Sequence, residues 1–159
     1  MRARLQEFAL TLHPDKTRLI EFGRHAATNR KQRGLGKPET FNFLGFTFIC
    51  GTTRRGQFQL NRKTRRDRMR AKLRTMKEEM RRRMHRSIPE QGSWLRQVVR
   101  GYFNDHAVPT NFDALKVFRD EISKRWRRVL SRRSQKGGFN WNQMNRLIDD
   151  WLLIHPLIF

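Results

Sequence analysis

The chain has 159 residues, of which 36% are apolar, and a net charge of +22. A charge of this size exceeds what solubility requires and indicates a polyanionic partner, with nucleic acid as the first candidate and an anionic membrane surface as the second. The single cysteine, Cys50, excludes an intramolecular disulfide framework and a multi-cysteine zinc site, and no apolar run is long enough to cross a bilayer.

The first forty residues predict short elements and a basic loop. Residues 2–12 have the apolar spacing of a short amphipathic helix, which ends at the proline of a His-Pro-Asp turn. Residues 16–22 alternate weakly, as in a short strand. Residues 23–39 are basic and contain glycine and proline, which predicts a surface loop.

The most apolar run covers residues 40–48 and is rich in phenylalanine. It is too short for a typical helix and rich in sheet-forming side chains, so it predicts one buried strand. Gly45 falls where a bulge or a close backbone approach would interrupt that strand. A second strand is predicted over residues 57–61, and the glycine-bearing turn before it would point Arg54 and Arg55 outward.

From residue 62 onwards the apolar residues recur at helical spacing. Three consecutive amphipathic helices with short breaks favour an antiparallel bundle. Thr110 or Asn111 can cap the third helix, and a fourth, short helix begins at Asn140, whose spacing to Gln143 resembles a capping box. The predicted core stripes of the three long helices are Met69, Leu73, Met76, Met80 and Met84, then Trp94, Leu95, Val98, Val99, Tyr102 and Phe103, then Phe112, Leu115, Phe118, Ile122, Trp126, Val129 and Leu130.

Together these elements predict an α+β fold. A small β-hairpin piece with one helix covers residues 1–61, a mostly antiparallel helical bundle covers residues 62–152, and residues 153–159 form a tail.

Arginine and lysine surround the first long helix except on its apolar stripe, and they recur near the end of the third. A solvated face normally mixes charge signs, so this pattern favours contact with an RNA or DNA backbone. Trp126 lies in the second cluster at the spacing of the core stripe, so we expect it to be buried rather than stacked on a base. The candidate contacts are Arg54, Arg55, Arg62, Lys63, Arg66, Arg70, Arg74, Lys77, Arg81, Lys124, Arg127, Arg128, Arg132, Arg133 and Lys136.

The other polar residues do not assemble a catalytic or metal site. The five histidines are scattered, and none is spaced for metal binding with Asp, Glu or Cys. Asp149 and Asp150 would point about 100° apart on a helix, so we expect them at the surface or paired with arginine. No phosphate-cradling glycine loop and no nucleophile elbow is present. We therefore predict no catalytic residue, metal ligand or cofactor in this chain.

Several runs of residues resemble group II intron-encoded reverse transcriptases. Two of them resemble the last two conserved blocks of the palm of these bacterial proteins: residues 12–23, which begin Leu12-His13-Pro14-Asp15-Lys16-Thr17-Arg18, and Phe43-Leu44-Gly45-Phe46. The basic helix that follows, with residues 94–104, 107–109, 126–128 and 132–136, resembles the maturase-specific (X, or thumb) domain. The similarity covers almost the whole chain in the same order.

The resemblance implies a palm remnant at 1–61 and a thumb at 62–152. Members of the family bind their own intron RNA, help it fold for splicing and copy it into DNA. Lys16 matches a palm lysine near the primer and nucleotide, and we include it among the RNA contacts. The strand at 43–48 matches the part that cradles the primer end.

The family's polymerase chemistry uses a Tyr-Ala-Asp-Asp block and an earlier aspartate that hold two Mg²⁺ ions. This sequence has no such block, so we expect no polymerase activity from the chain alone. We expect the chain to begin just after that block, as a fragment or a truncated gene product.

Three functional hypotheses follow. In the first, the chain is the maturase part of such a protein and binds group II intron RNA, with a primer–template as a further partner. In the second, it is a subunit of an active RNA-directed DNA polymerase that a separate upstream reverse transcriptase half completes. In the third, it is a general basic DNA-binding protein with no preference for folded intron RNA. All three place it in a reduced, bacterial-type cytoplasm, away from membranes.

Overall fold

A computed structural model describes residues 2–14, 17–133 and 138–152. The elements in chain order are α1 (Arg2–Gln6), α2 (Ala26–Gln32), β1 (Phe41–Phe43), β2 (Phe46–Thr52), β3 (Phe58–Thr64), α3 (Arg66–Arg82), α4 (Ile88–His106), α5 (Phe112–Ser131) and α6 (Trp141–Trp151). The strands form one sheet in the order β1-β2-β3, with β1 antiparallel to β2. This is the α+β class that the sequence predicts. No helix in the described ranges is both long and apolar enough to cross a membrane.

The chain divides into two compact units. The first unit comprises residues 1–40 and 50–59, and the second comprises residues 41–49 and 60–159. Strands β2 and β3 contribute residues to both units. The predicted domain boundary after residue 61 stays a prediction. The predicted tail at 153–159 lies outside the described residues.

The helices of the first unit differ from those predicted. α1 ends at Gln6, so the predicted helix over residues 2–12 is wrong in its second half. The chain turns there because Ala9 has a φ of +53°. α2 lies inside the predicted loop at 23–39, and Gly34, with a φ of +69°, follows its end.

The weak alternation after the His-Pro-Asp turn does not produce a strand, since residues 17–22 have no regular structure. They are not part of the described sheet. Two of their side chains form ion pairs, Arg18 with Glu39 and Glu21 with Arg33.

The predicted single buried strand at 40–48 is a tight hairpin instead. Leu44 and Gly45 have φ values of +45° and +83°, the positive pair typical of a type I′ turn. Across it, Phe41 and Phe48 face each other with their rings stacked at 5.0 Å between centroids. Gly45 therefore serves the turn rather than a bulge, and the hairpin is only partly buried.

The predicted hairpin, whose second strand follows the turn at residues 54–56, is confirmed. The Thr53 amide donates to the Gln57 carbonyl at 2.8 Å, and Arg54 and Arg55 are exposed at the tip. β3 continues to Thr64, so the first long helix begins later than residue 62, the start that the sequence predicts.

The helical stripes meet in one core within the second unit. α5 packs against α3, α4 and α6. Trp126 is fully buried, as predicted, but Phe112 is about half exposed and is not a core residue. Trp94 is only partly buried, with the Arg83 guanidinium carbon 4.7 Å from its ring centroid. The buried side chains are Leu73, Met76, Met80, Leu95, Val99, Tyr102, Phe103, Leu115, Phe118, Ile122, Trp126, Val129, Leu130, Met144 and Leu152.

Caps fix the ends of α4 and α6. The side chains and backbone amides of Asn140 and Gln143 form the predicted capping box of α6. Ser87 and Glu90 form a second capping box at the start of α4. The Ser87 hydroxyl and amide hold the pKa of the Glu90 carboxyl below its usual value. α4 also carries the buried Gly92, where a Cβ would clash with the Trp151 ring, so this contact between α4 and α6 requires glycine.

Two buried side-chain amides, those of Gln91 and Asn111, form hydrogen bonds between separate elements of the second unit. Gln91 donates to the carbonyls of Met84 and Arg86, and its Oε1 accepts from the Trp126 indole at 2.9 Å. Every polar atom of this side chain therefore has a partner, which makes its burial favourable. The Gln91 amide links the α3–α4 connection to the centre of α5.

The second amide joins β3 to the α4–α5 loop. Asn111 occupies the predicted cap position of α5, but its side chain makes no capping hydrogen bond. Its Oδ1 accepts from the Thr64 amide at 2.8 Å, and its Nδ2 donates to the Thr64 hydroxyl and the His106 carbonyl. The Thr110 hydroxyl likewise bonds both backbone groups of Arg62. These bonds fix the end of β3, and with it the start of α3, to the bundle.

Candidate nucleic-acid interface

Five cations lie along one face of α3. They follow each other at steps of four, four, three and four residues, which places them within an arc of about 80° over about 22 Å of helix. All five side chains are exposed. Within the described residues none of them pairs with a carboxylate. We call this set the α3 stripe: Arg66, Arg70, Arg74, Lys77 and Arg81.

The carboxylates of α3 are mostly engaged by other arginines. Asp67 pairs with Arg65 at 2.6 Å, and this hydrogen bond holds the pKa of the Asp67 carboxyl below its usual value. Glu79 pairs with Arg82 and Arg83. Like charges spaced by four residues destabilise a helix, and no carboxylate of the described chain forms an ion pair with the α3 stripe. A polyanion would relieve this repulsion.

Some of the predicted RNA contacts near the end of α5 are engaged by other groups of the protein. Arg127 donates to the Phe139 carbonyl at 3.0 Å, and its guanidinium lies 4.7 Å from the Trp141 ring centroid. It therefore attaches the start of α6 to α5, a structural role that the sequence did not indicate. Lys124 pairs with Glu121 at 3.0 Å. Hydrogen bonds from Arg125 and Lys124 lower the pKa of the Glu121 carboxyl.

Three other predicted contacts of that cluster are exposed without a carboxylate partner among the described residues. These are Arg128, Arg132 and Arg133. The last two follow the C-terminus of α5, where the helix dipole also favours cations. Lys136 lies outside the described residues, as does Lys16.

The remaining predicted contacts lie on the strands. Arg62 and Lys63 are both partly buried on β3, and Lys63 pairs with Asp113 at 3.8 Å. Arg54 and Arg55 lie at the β2–β3 tip in the first unit. The structure thus brings five of the predicted cations together on α3 and distributes the others.

Two carboxylates of the first unit, Glu21 and Glu39, are engaged by nitrogen donors. Glu21 accepts from Asn29 and pairs with Arg33, and Glu39 pairs with Arg18 and Arg30. Among the described residues no three of His, Cys, Asp and Glu gather into a group that could hold a metal ion. Asp15 lies outside the described residues. Asp149 and Asp150 are exposed on α6, which agrees with the surface position expected for them.

Sequence reasoning missed a groove in the second unit. It has a volume of about 560 Å³ and lies among the β1–β2 turn, α3 and α4. Its lining combines apolar surface with two exposed cations and several hydrogen-bonding groups. The lining residues are Leu44, Gly45, Arg68, Met69, Lys72, Gln97, Val98, Gly101, Tyr102, Asp105 and His106.

A column of aromatic rings fixes the turn beside α4. Phe46 contacts His106 at 5.5 Å between centroids, His106 stacks on Tyr102 at 4.2 Å, and Tyr102 stacks on Phe118 at 3.7 Å. The His106 Nδ1 lies 3.0 Å from the Tyr102 carbonyl, so it donates there. Burial raises the pKa of Tyr102 to about 12, opposed in part by the neighbouring Thr64 hydroxyl. The turn is also tied to α3, because the Arg65 amide donates to the Gly45 carbonyl.

Two positions at the groove carry a local conformational cost. Leu44 holds a left-handed backbone conformation, which costs a non-glycine residue about 1–2 kcal/mol, yet its side chain is 78% exposed. Gly101 lies in the interior of α4, where glycine costs about 1 kcal/mol, and a Cβ there would meet nothing within 4 Å. Packing explains Gly92 but does not explain Gly101.

The signals for this groove in the sequence are weak. Arg68 and Lys72 are one helical turn apart, but they are two of many cations on α3. Gly101 is an isolated glycine in a helical pattern, which by itself indicates no ligand. Only the packing of three separate elements shows that these residues share a groove.

No protein-family model, curated protein or solved structure matches this chain. The functional conclusion therefore depends on the chemistry of its own residues and on the motif resemblance.

Proposed function

We propose that this chain binds structured RNA as the maturase part of a group II intron-encoded reverse transcriptase, assisting the folding and splicing of the intron RNA. In this proposal α3 is the main contact element. The partner of the chain is group II intron RNA, and a primer–template is a further ligand. With its one cysteine, Cys50, free, the protein would act in a reduced bacterial-type cytoplasm.

The observation that carries the proposal is the α3 stripe. Five exposed cations without carboxylate partners, aligned over about 22 Å, suit a nucleic-acid backbone better than a compact ligand. No aromatic side chain lies on α3, so the stripe offers phosphate contacts without base stacking. Such contacts fix the position of a folded RNA and carry little sequence information.

The resemblance supports the choice of RNA. Three of the runs similar to the maturase-specific domain fall in α4, the α4–α5 loop and α5, which pack in the same unit as α3. The fourth, 132–136, follows α5 and lies partly outside the described residues. The first three include residues that build the core, such as Val99, Phe103 and Trp126. If the family shares this core, its basic helix would pack on the core in the position that α3 has here.

The test is a binding competition between a folded bacterial group II intron RNA and duplex DNA of equal charge. We expect the RNA to bind more tightly at physiological salt. The double variant Arg70→Gln/Arg74→Gln should weaken RNA binding roughly 10-fold or more, since it removes two phosphate contacts. The matched control is Arg96→Gln/Arg100→Gln, an exposed pair with the same spacing on α4, and it should have little effect. Equal affinity for RNA and duplex DNA would favour the general DNA-binding hypothesis.

One observation favours the second hypothesis, a polymerase subunit completed by a separate upstream half. Among the described residues of the first unit only Ala26 is buried, while Phe8 and Leu19 are 69% and 100% exposed. A unit with so little core gains stability from a partner surface. Primer extension measured with and without a supplied upstream half, and with a catalytic-aspartate variant of that half, tests this hypothesis. Primer extension by this chain alone would contradict both the maturase proposal and the subunit hypothesis.

A further inference from the structure

We propose that the groove among the β1–β2 turn, α3 and α4 binds one unpaired ribonucleotide of an RNA strand. The inference deepens the proposed RNA binding and rests on it. It assigns to the second unit a nucleotide site that is separate from the α3 stripe. Its parts are a phosphate-binding wall, an apolar floor and a polar rim.

The size of the groove suits one nucleotide. Its volume of about 560 Å³ falls within the range of roughly 300–1,000 Å³ that is usual for small-ligand sites. A double helix cannot enter a space of this size, whereas a single base and its sugar can. The ligand is therefore a nucleotide that is not held in a base pair.

The phosphate wall consists of Arg68 and Lys72. They are one turn apart on α3, both are exposed, and neither has a carboxylate partner within the described residues. At about 100° per residue they lie on the opposite flank of α3 from the centre of the α3 stripe. A phosphate bound here is therefore a different contact from those of the stripe.

The floor is apolar and open. Met69 and Val98 contribute partly buried side chains, and Gly101 exposes helix backbone beside them. A planar base can lie against this surface because no Cβ projects from Gly101. The exposed Leu44 side chain forms the edge of the groove opposite α4. The proposed site thus uses both of the positions that carry a local conformational cost.

The rim selects ribose. The Asp105 carboxylate has no cationic partner within the described chain, and it repels phosphate while accepting hydrogen bonds from hydroxyl groups. The Asp105 carboxylate therefore offers an acceptor for the 2′-hydroxyl donor that distinguishes RNA from DNA.

The experiment compares two hairpin RNAs that differ by a single unpaired nucleotide, using fluorescence anisotropy with the full chain. The unpaired nucleotide should tighten binding about 10-fold, through its phosphate contacts and the burial of its base against the apolar floor. Gly101→Leu fills the floor and should abolish that difference. It should also raise the melting temperature by about 2–4 °C, because a helix former replaces an exposed glycine. The melting temperature thereby distinguishes a loss of RNA binding from a loss of the fold.

Arg68→Gln/Lys72→Gln is a second variant that leaves the floor unchanged. It should weaken binding of the hairpin with the unpaired nucleotide at least several-fold more than binding of the fully paired hairpin. Arg70→Gln/Arg74→Gln is the matched control on the α3 stripe and should weaken both hairpins equally. Replacing the unpaired nucleotide by its 2′-deoxy form should lose much of the gain, and Asp105→Ala should remove the discrimination between ribose and deoxyribose.

The possible failures are distinguishable. If wild-type protein binds both hairpins equally well, the groove proposal is wrong while the proposed RNA binding stands. If neither hairpin binds, both are wrong. Persistence of the unpaired-nucleotide advantage in both Gly101→Leu and the Arg68/Lys72 variant would also overturn the site. Free adenosine and cytidine monophosphates serve as a separate arm, and affinity equal to that of the hairpin would assign the groove to free nucleotides instead.

Discussion

The two units of this chain have a similar density of positive charge but very different hydrophobic cores. The second unit buries a continuous core of large side chains, whereas the first buries only Ala26 among its described residues. A cation on α3 is therefore attached to a helix whose other face is packed, and binding need not order its backbone. The tip residues Arg54 and Arg55 belong to the unit that lacks a core. Charge alone does not make a binding surface, and this difference between the units is why we propose α3, rather than the tip, as the RNA-binding surface.

The largest expected effect is on the core itself. Phe118→Ala should lower the free energy of unfolding by about 3–5 kcal/mol, because this fully buried ring stacks on Tyr102. Leu19→Ala, at a fully exposed position of the first unit, should change it by less than about 0.5 kcal/mol. Urea unfolding followed by circular dichroism measures both. Equal effects would mean that the two units do not differ in the way described.

A smaller effect should separate two neighbouring arginines of α5. Arg127→Gln removes a hydrogen bond and a cation–π contact, so it should cost about 1–2 kcal/mol of stability. Arg128→Gln should leave the melting temperature within about 1–2 °C and weaken RNA binding, since Arg128 is exposed and unpaired in the described chain. The opposite pattern would show that Arg127 contacts RNA and that its packing is dispensable.

The sequence predicts the helical part well because its signals are local and periodic. The stripes through Met76 and Phe118 identify core faces at a spacing that only a helix uses, and Asn140 with Gln143 predicts a cap from four residues. Phe112 continues the α5 pattern yet is half exposed, because it lies in the first turn, at the edge of the packed region.

The errors arise where long-range packing decides the outcome. Residues 40–48 form a uniform apolar run, and only the pairing of Phe41 with Phe48 shows that the chain reverses at Gly45. The engagement of Arg127 depends on Phe139, twelve residues away, and on Trp141. The groove depends on three elements that are distant in sequence. No local pattern encodes these contacts, so the sequence predicts which residues are basic but not which of them are free.

A still smaller effect concerns Tyr102, the chain's one tyrosine. Its pKa is raised to about 12 in the folded protein, against about 10 for an unfolded chain. The folded state therefore holds this proton more tightly, and its contribution to stability is complete below pH 10 and is lost as the pH rises towards 12. Ultraviolet absorbance should show tyrosine ionisation near pH 12, and Tyr102→Phe should remove this part of the alkaline loss of stability. A titration midpoint near 10 in folded protein would contradict the packing described for the second unit.

The central claim is that RNA lies on the α3 stripe, and the salt dependence of binding tests it most directly. Each phosphate contact contributes a slope of roughly −0.7 to −0.9 to a plot of log affinity against log salt concentration. Arg70→Gln/Arg74→Gln/Lys77→Gln should therefore flatten the slope for folded group II intron RNA by about two units. Arg54→Gln/Arg55→Gln, on the other unit, provides the comparison and should change it less. An unchanged slope in the triple variant, with the fold intact by circular dichroism, would show that the RNA does not lie on α3.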